Sequence, residues 1–161
     1  MALVDTFLQI TSIEGESMDA KHKGWLEVES WSWGETNPTP PAGGGGGGTA
    51  GKVQVQDLHV TTRVSKASPK LFLACASGQH MKEAKLAAVR AGKTQVEFLT
   101  WTFSDVLVTG YQTGGTSDEI PGDQLSLSFS KLRVEYRPQK ADGSFDVPVT
   151  AGWDVKTNKK L

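Results

Sequence analysis

GGGGGGTAGKVQVQDLHVTTRV, residues 43–64, opens like a nucleotide site and continues like a sheet. From Gly46 onward it satisfies most of a phosphate-loop pattern: Gly46, four residues, Gly51, Lys52. In such a loop, glycine backbone N–H groups curl around the phosphates, Lys adds a charge and a Ser/Thr hydroxyl holds Mg²⁺. A helix then starts at once, with its N-terminus facing the anion. Here Val53 follows Lys52 and has no hydroxyl, and KVQVQDLHVTTRV alternates apolar with polar, which is a strand signal. The six glycines also match G-x-G-x-x-G trivially, but that motif needs a helix next as well. The stretch therefore predicts a strand entered from a long Gly/Pro-rich loop at 36–51, beginning TNPTPPA, and no phosphate cradle. A loop of this length within a domain is usually functional or disordered.

The rest of the chain agrees with a β-rich reading. TFLQI (6–10) is a short strand, and WLEVESWSWG (25–34) alternates with Trp25, Trp31 and Trp33 at odd positions while Leu26 and Val28 sit at even ones. In KVQVQDLHVTTRV the apolar parity switches near Asp57, which predicts a β-bulge. TQVEFLTWTFSDVLV (94–108) is apolar on both faces, as in a strand buried from two sides. DQLSLSFSKLRVEYRPQ (123–139) changes parity midway, between Phe129 and Leu132. Two long strands that each change face suit a barrel or a bent sandwich. One helix is expected at 68–78, with Ser68 as N-cap, Pro69 at the first helical position and Gly78 as its stop. Leu71, Ala74 and Cys75 form its apolar stripe. MKEAKLAAV (81–89) has helix formers but lies directly after that stop, and a strand is expected there. YRPQKADGS and TAGWDVKTN predict a turn and a last strand.

The chain has 161 residues, enough for one domain, 1–161, with a real core. Lys+Arg numbers 17 and Asp+Glu 18, so no basic excess points to nucleic acid. No apolar run approaches the ~20 residues that span a bilayer. MALVDTFLQI has no basic n-region and no cleavage site, so a signal peptide is not expected. Cys75 is the single cysteine, which excludes an intrachain disulfide.

Catalytic arrangements are missing from the pattern. GGTSDE places Ser117 in a loop without the second glycine of a nucleophile elbow. Cys75 lies mid-helix, away from the helix N-terminus that lowers a thiol pKa. His22, His59 and His80 lack the close spacings of zinc sites. Asp57 and His59 share one side of a strand if no bulge intervenes, but no nucleophile accompanies them. Asp118 and Glu119 fall in a Gly-rich turn and are expected to be solvated. The expectation is a non-enzyme without cofactor or metal.

WSWG (31–34), the Gly-rich run into KVQVQDL (52–58), SPKLFLACASGQHMKEAKL (68–86), SDVLVTGYQTGG (104–115), YRPQKADGS (136–144) and GWDVKTN (152–158) together resemble the haemolysin-coregulated protein (Hcp) family. These are the tube proteins of bacterial type VI secretion systems. The resemblance runs in order over essentially the whole length. It implies a mainly β fold, a compact β-barrel of two sheets with one flanking α-helix at about 68–78, similar to phage tail-tube proteins. It further implies hexameric rings stacked into a hollow tube that a contracting sheath expels, with spike and baseplate components as partners and effectors carried and chaperoned in the lumen. The chain would be cytoplasmic before firing and then secreted without a signal peptide, with no membrane insertion. Because it ends soon after GWDVKTN, it looks like the plain tube subunit, with no effector domain fused behind.

Two sites follow as expectations. Ordering about fifteen mobile residues costs on the order of 1 kcal/mol or more each. The loop, with Gly43, Gly44, Gly45, Gly46, Gly47 and Gly48 at its centre, is therefore expected to order only when one ring meets the next. Strand alternation turns Ser32 away from a core-facing Trp31 and Trp33, making Ser32 a candidate cargo contact in the lumen or an ordinary surface serine. The alternative from another class is a monomeric carbohydrate- or peptide-binding β-domain using the five tryptophans as an exposed platform.

Overall fold

The computed structural model describes residues 3–38, 51–92 and 95–161. Lys52 leads into the strand β4 (Gln54–Val55), which stands where a phosphate loop would need its helix. The central residues of the Gly/Pro-rich loop, including Gly43 to Gly48, lie outside the described residues. At the edge of that loop Thr36 already belongs to β3 (Glu35–Thr36), which pairs with β4 as a separate two-stranded ribbon.

The barrel is built from β1 (Val4–Ile10), β2 (Leu26–Ser32), β5 (Leu58–Arg63), β6 (His80–Arg90), β7 (Glu97–Gly114) and β8 (Gly122–Ser128). Its order is β7-β6-β1-β2-β5-β8, and β8 pairs back onto β7 to close it. β9 (Lys131–Tyr136), β10 (Val149–Asp154) and β11 (Lys159–Lys160) extend the sheet outward from the same edge of β7 that β8 uses, opposite β6. β7 therefore changes partner along its length. Residues Leu99–Ser104 pair with β9, and Leu107–Gly114 pair with β8. The change falls at Asp105, whose φ of 55° is a left-handed conformation rare for a non-glycine. Phe103 before the step and Val106 after it both reach the core, although they are three residues apart. No described residue from 95 to 108 is fully exposed, yet burial is one-sided rather than on both faces as expected, because Thr100 and Thr102 line an open groove on the outer face.

Parity switches in the sequence have two different physical origins. The one near Asp57 is not a bulge in a single strand. It is a break between β4 and β5, which belong to different sheets. The one at residues 129–130 likewise separates β8 from β9. A true register shift does occur in β2, between Val28 and Ser30, and it reconciles the apolar positions of that strand. Leu26 and Val28 precede the shift, Trp31 follows it, and all three pack toward the core.

The helix α1 (Ser68–Ser77) ends at Gly78, with φ 68°, as expected. Its start differs from expectation, because Ala67 occupies the N-cap and Ser68 is already helical. The Ser68 hydroxyl instead donates to Asp123 Oδ2, a fully buried carboxylate that also accepts from Tyr111 OH at 3.0 Å. Burial, and then the hydrogen bond to Asp123, hold the Tyr111 phenol above its usual pKa. No side chain caps the helix; Ser65 Oγ accepts from Ala67 N–H at 3.2 Å in the turn just before it. Leu71 and Ala74 are buried and Cys75 is half-buried against the same core. Directly after Gly78, residues 81–89 do form a strand within β6. Its Ala84, Leu86, Ala87, Ala88 and Val89 are all buried, so tertiary packing overrides their helical preference.

Candidate assembly and cargo surface

Cross-strand register gives the outer face of β2, β5, β8 and β7 its chemistry. One row runs Ser32–His59–Ser126–Gly110, and a second, two residues along each strand, runs Ser30–Thr61–Gln124–Gln112. None of these eight residues is Asp, Glu, Lys or Arg, although 22% of the chain is charged. Inward residues between the rows, Trp31, Val60, Leu125 and Tyr111, belong to the core or pack against it. Ser32 is exposed beside Trp31, so alternation holds as expected. The face is a shallow concavity of hydroxyls, amides and backbone, able to hydrogen-bond a polypeptide without a fixed charge.

Asp57 and His59 are not brought together. His59 Nδ1 lies 2.9 Å from Ser126 Oγ, within the first row, whereas Asp57 accepts from Thr109 Oγ1 at 2.6 Å. Ser117, Asp118 and Glu119 are exposed in the β7–β8 connection. All five tryptophans are half-buried, and none stands out as the fully exposed platform of a Trp-based binding domain. Trp33, Trp101 and Trp153 instead line a groove between the β3–β4 ribbon and the β7–β9–β10 sheet. Trp33 Nε1 donates to the Gln56 carbonyl at 2.9 Å.

A buried cluster escaped the sequence reading. The connection from β1 to β2 folds back on itself, with Gly15 N–H donating to the Gly24 carbonyl at 2.7 Å. A Cβ on Gly15 would lie 2.6 Å from the Trp25 carbonyl oxygen, so the approach requires glycine. The fold-back buries His22 completely, stacked on Phe7 at 4.5 Å and edge-on to Trp25 at 4.7 Å. Its Nδ1 sits 2.6 Å from Asp19 Oδ2 and its Nε2 2.7 Å from Glu97 Oε1. The hydrogen bond from His22 holds Asp19 below the usual carboxylate range, against the opposing effect of desolvation. The His22–Glu97 pair spans 75 positions, so no local spacing could reveal it.

The family model described as "Type VI secretion system effector, Hcp" matches residues 7–136. The chain belongs to the Hcp family. Protein hcp1 of Pseudomonas aeruginosa is 44% identical over 158 residues, covering 96% of this Hcp chain and 97% of that protein. The crystal structure of Hcp1 from Salmonella typhimurium superposes with a TM-score of 0.82 at 37% identity, covering 99% of this chain and 100% of the other. A structure titled as a type six secretion system protein gives a TM-score of 0.92 at 31% identity, over 98% and 99% of the two chains. The Hcp β-barrel, with one flanking helix among the described residues, is thus the fold that the sequence resemblance implied.

Proposed function

We propose that this chain is a structural subunit of the type VI secretion tube, with no bond made or broken. Six copies close a ring, rings stack into a hollow tube, and a sheath expels it together with spike components. Effectors ride in the lumen against the face of these two rows, which includes Ser32. That face carries the reading, because a cargo wall must hold varied polypeptides and still release them. Hydroxyls and amides exchange partners with water at little net cost, whereas a fixed charge would select one cargo and repel another. The subunit waits in the cytoplasm and leaves without a signal peptide; among the described residues no helix is long and apolar enough to cross a membrane.

Ser32→Trp tests the wall. Ring mass should stay unchanged, because Ser32 points away from the core, while a co-expressed effector from the same secretion system should no longer co-purify. Unchanged retention would make Ser32 ordinary surface. Gly43 to Gly48 are assigned, on composition alone, to ring stacking. Shortening them should leave rings intact by light scattering and reduce tube formation and secretion; unchanged tubes would remove that assignment.

A further inference from the structure

We propose that the acidic tip Asp118–Glu119 of one copy docks in a basic groove around Arg133 of the next. This rests on the self-assembly reading above and names one of its contacts.

The groove lies on the outer face of β6, β7 and β9. Lys85, Thr102 and Arg133 stand side by side across the three strands, and Thr100 and Glu135 form the next row. Lys21 and Arg137 complete the lining. Four cations therefore face two carboxylates, and both carboxylates are already engaged. Glu97 meets His22 at 2.7 Å and Lys85 at 3.8 Å, and Glu135 meets Arg137 at 3.4 Å. Lys21 Nζ donates to the Gln95 carbonyl, which leaves its charge unbalanced. Arg133 is exposed and bridges no carboxylate among the described residues. A guanidinium there offers a planar pair of N–H donors, the geometry that takes a carboxylate two-handed.

The same chain carries the complement. Residues 115–120, between β7 and β8, are exposed throughout. Asp118 and Glu119 pair with no cation among the described residues, and Ile120 beside them is 65% exposed. An unpaired acidic pair next to an exposed apolar side chain is a compact docking element.

One copy cannot satisfy both halves. The groove sits at the Glu97 end of β7 and the tip follows its Gly114 end, with roughly 40 Å of strand from Thr102 to Gly114 if it ran straight. Contact between two different patches on identical chains is heterologous, so it repeats head to tail, as a ring or a stack requires. A single exposed ion pair is worth less than about 1 kcal/mol, but this one recurs at every junction and reversal turns attraction into repulsion.

The test is a charge swap in the full-length chain: Glu119→Arg, Arg133→Glu, and both together. Self-association is followed by sedimentation against protein concentration at low and high salt, with thermal melts confirming that these exposed changes leave the fold intact. Each single reversal should raise the concentration for half-assembly by about tenfold at low salt, and the double reversal should restore most of the loss. Singles that assemble like the wild type would overturn the contact while leaving the tube reading standing. A double variant as weak as the sum of both singles would also overturn it. A wild type that never assembles would sink both.

Discussion

His22→Ala is expected to destabilise the fold by about 3 kcal/mol or more, seen as a melting point lower by roughly 10 °C. The variant removes the ring that Asp19 and Glu97 share as a hydrogen-bond partner and leaves both carboxyl groups facing a void. Two short hydrogen bonds, of 2.6 and 2.7 Å, are lost with it. So is its packing between Phe7 and Trp25. Because the Glu97 side chain keeps 33% exposure, the loss sits at the lower end of the range for a broken buried pair. Acid should act through the same cluster. The folded pKa of Asp19 lies below its unfolded value, so its contribution is complete above about pH 4 and fades as pH falls through the lowered folded value. In Asp19→Asn that part of the acid dependence should be absent. A His22→Ala melt within a degree or two of wild type would show that the clamp contributes nothing.

Phe103→Ala should cost a comparable 3–5 kcal/mol in denaturant titration. Phe103 is 1% exposed and stands where β7 passes from β9 to β8. Its register partners are Ala84 on β6 and Leu132 on β9, and the small Ala84 leaves space that the ring fills. Phe129 packs on it at 4.7 Å and Trp101 at 6.3 Å. Deleting the ring opens a cavity between elements tied to one another by strand pairing, which cannot collapse freely. Phe72→Ala is the contrast. That ring is 60% exposed on α1, and its loss should change stability by only about 0.5 kcal/mol. Equal losses at the two sites would contradict the placement of the core.

What the chain disclosed before folding was whatever depends on nearest neighbours. The strand after Lys52, the stop at Gly78 and the outward turn of Ser32 each follow from a few adjacent residues. Parity switches were visible too, but their cause was not. A bulge within one strand and a break between two sheets leave the same apolar pattern, and only pairing separates Asp57 from the shift in β2. Ser68 looked like a cap because its partner Asp123 lies 55 positions away. The uncharged face was legible one strand at a time, as polar residues between apolar ones. Its meaning emerges only when register places Ser32, His59 and Ser126 side by side.

The central claim is that this Hcp chain adheres to copies of itself, and the native mass of the purified protein in dilute solution tests it most directly. The account predicts a particle of six chains, with larger multiples as rings stack. A mass of one chain at every concentration and salt tried would contradict it.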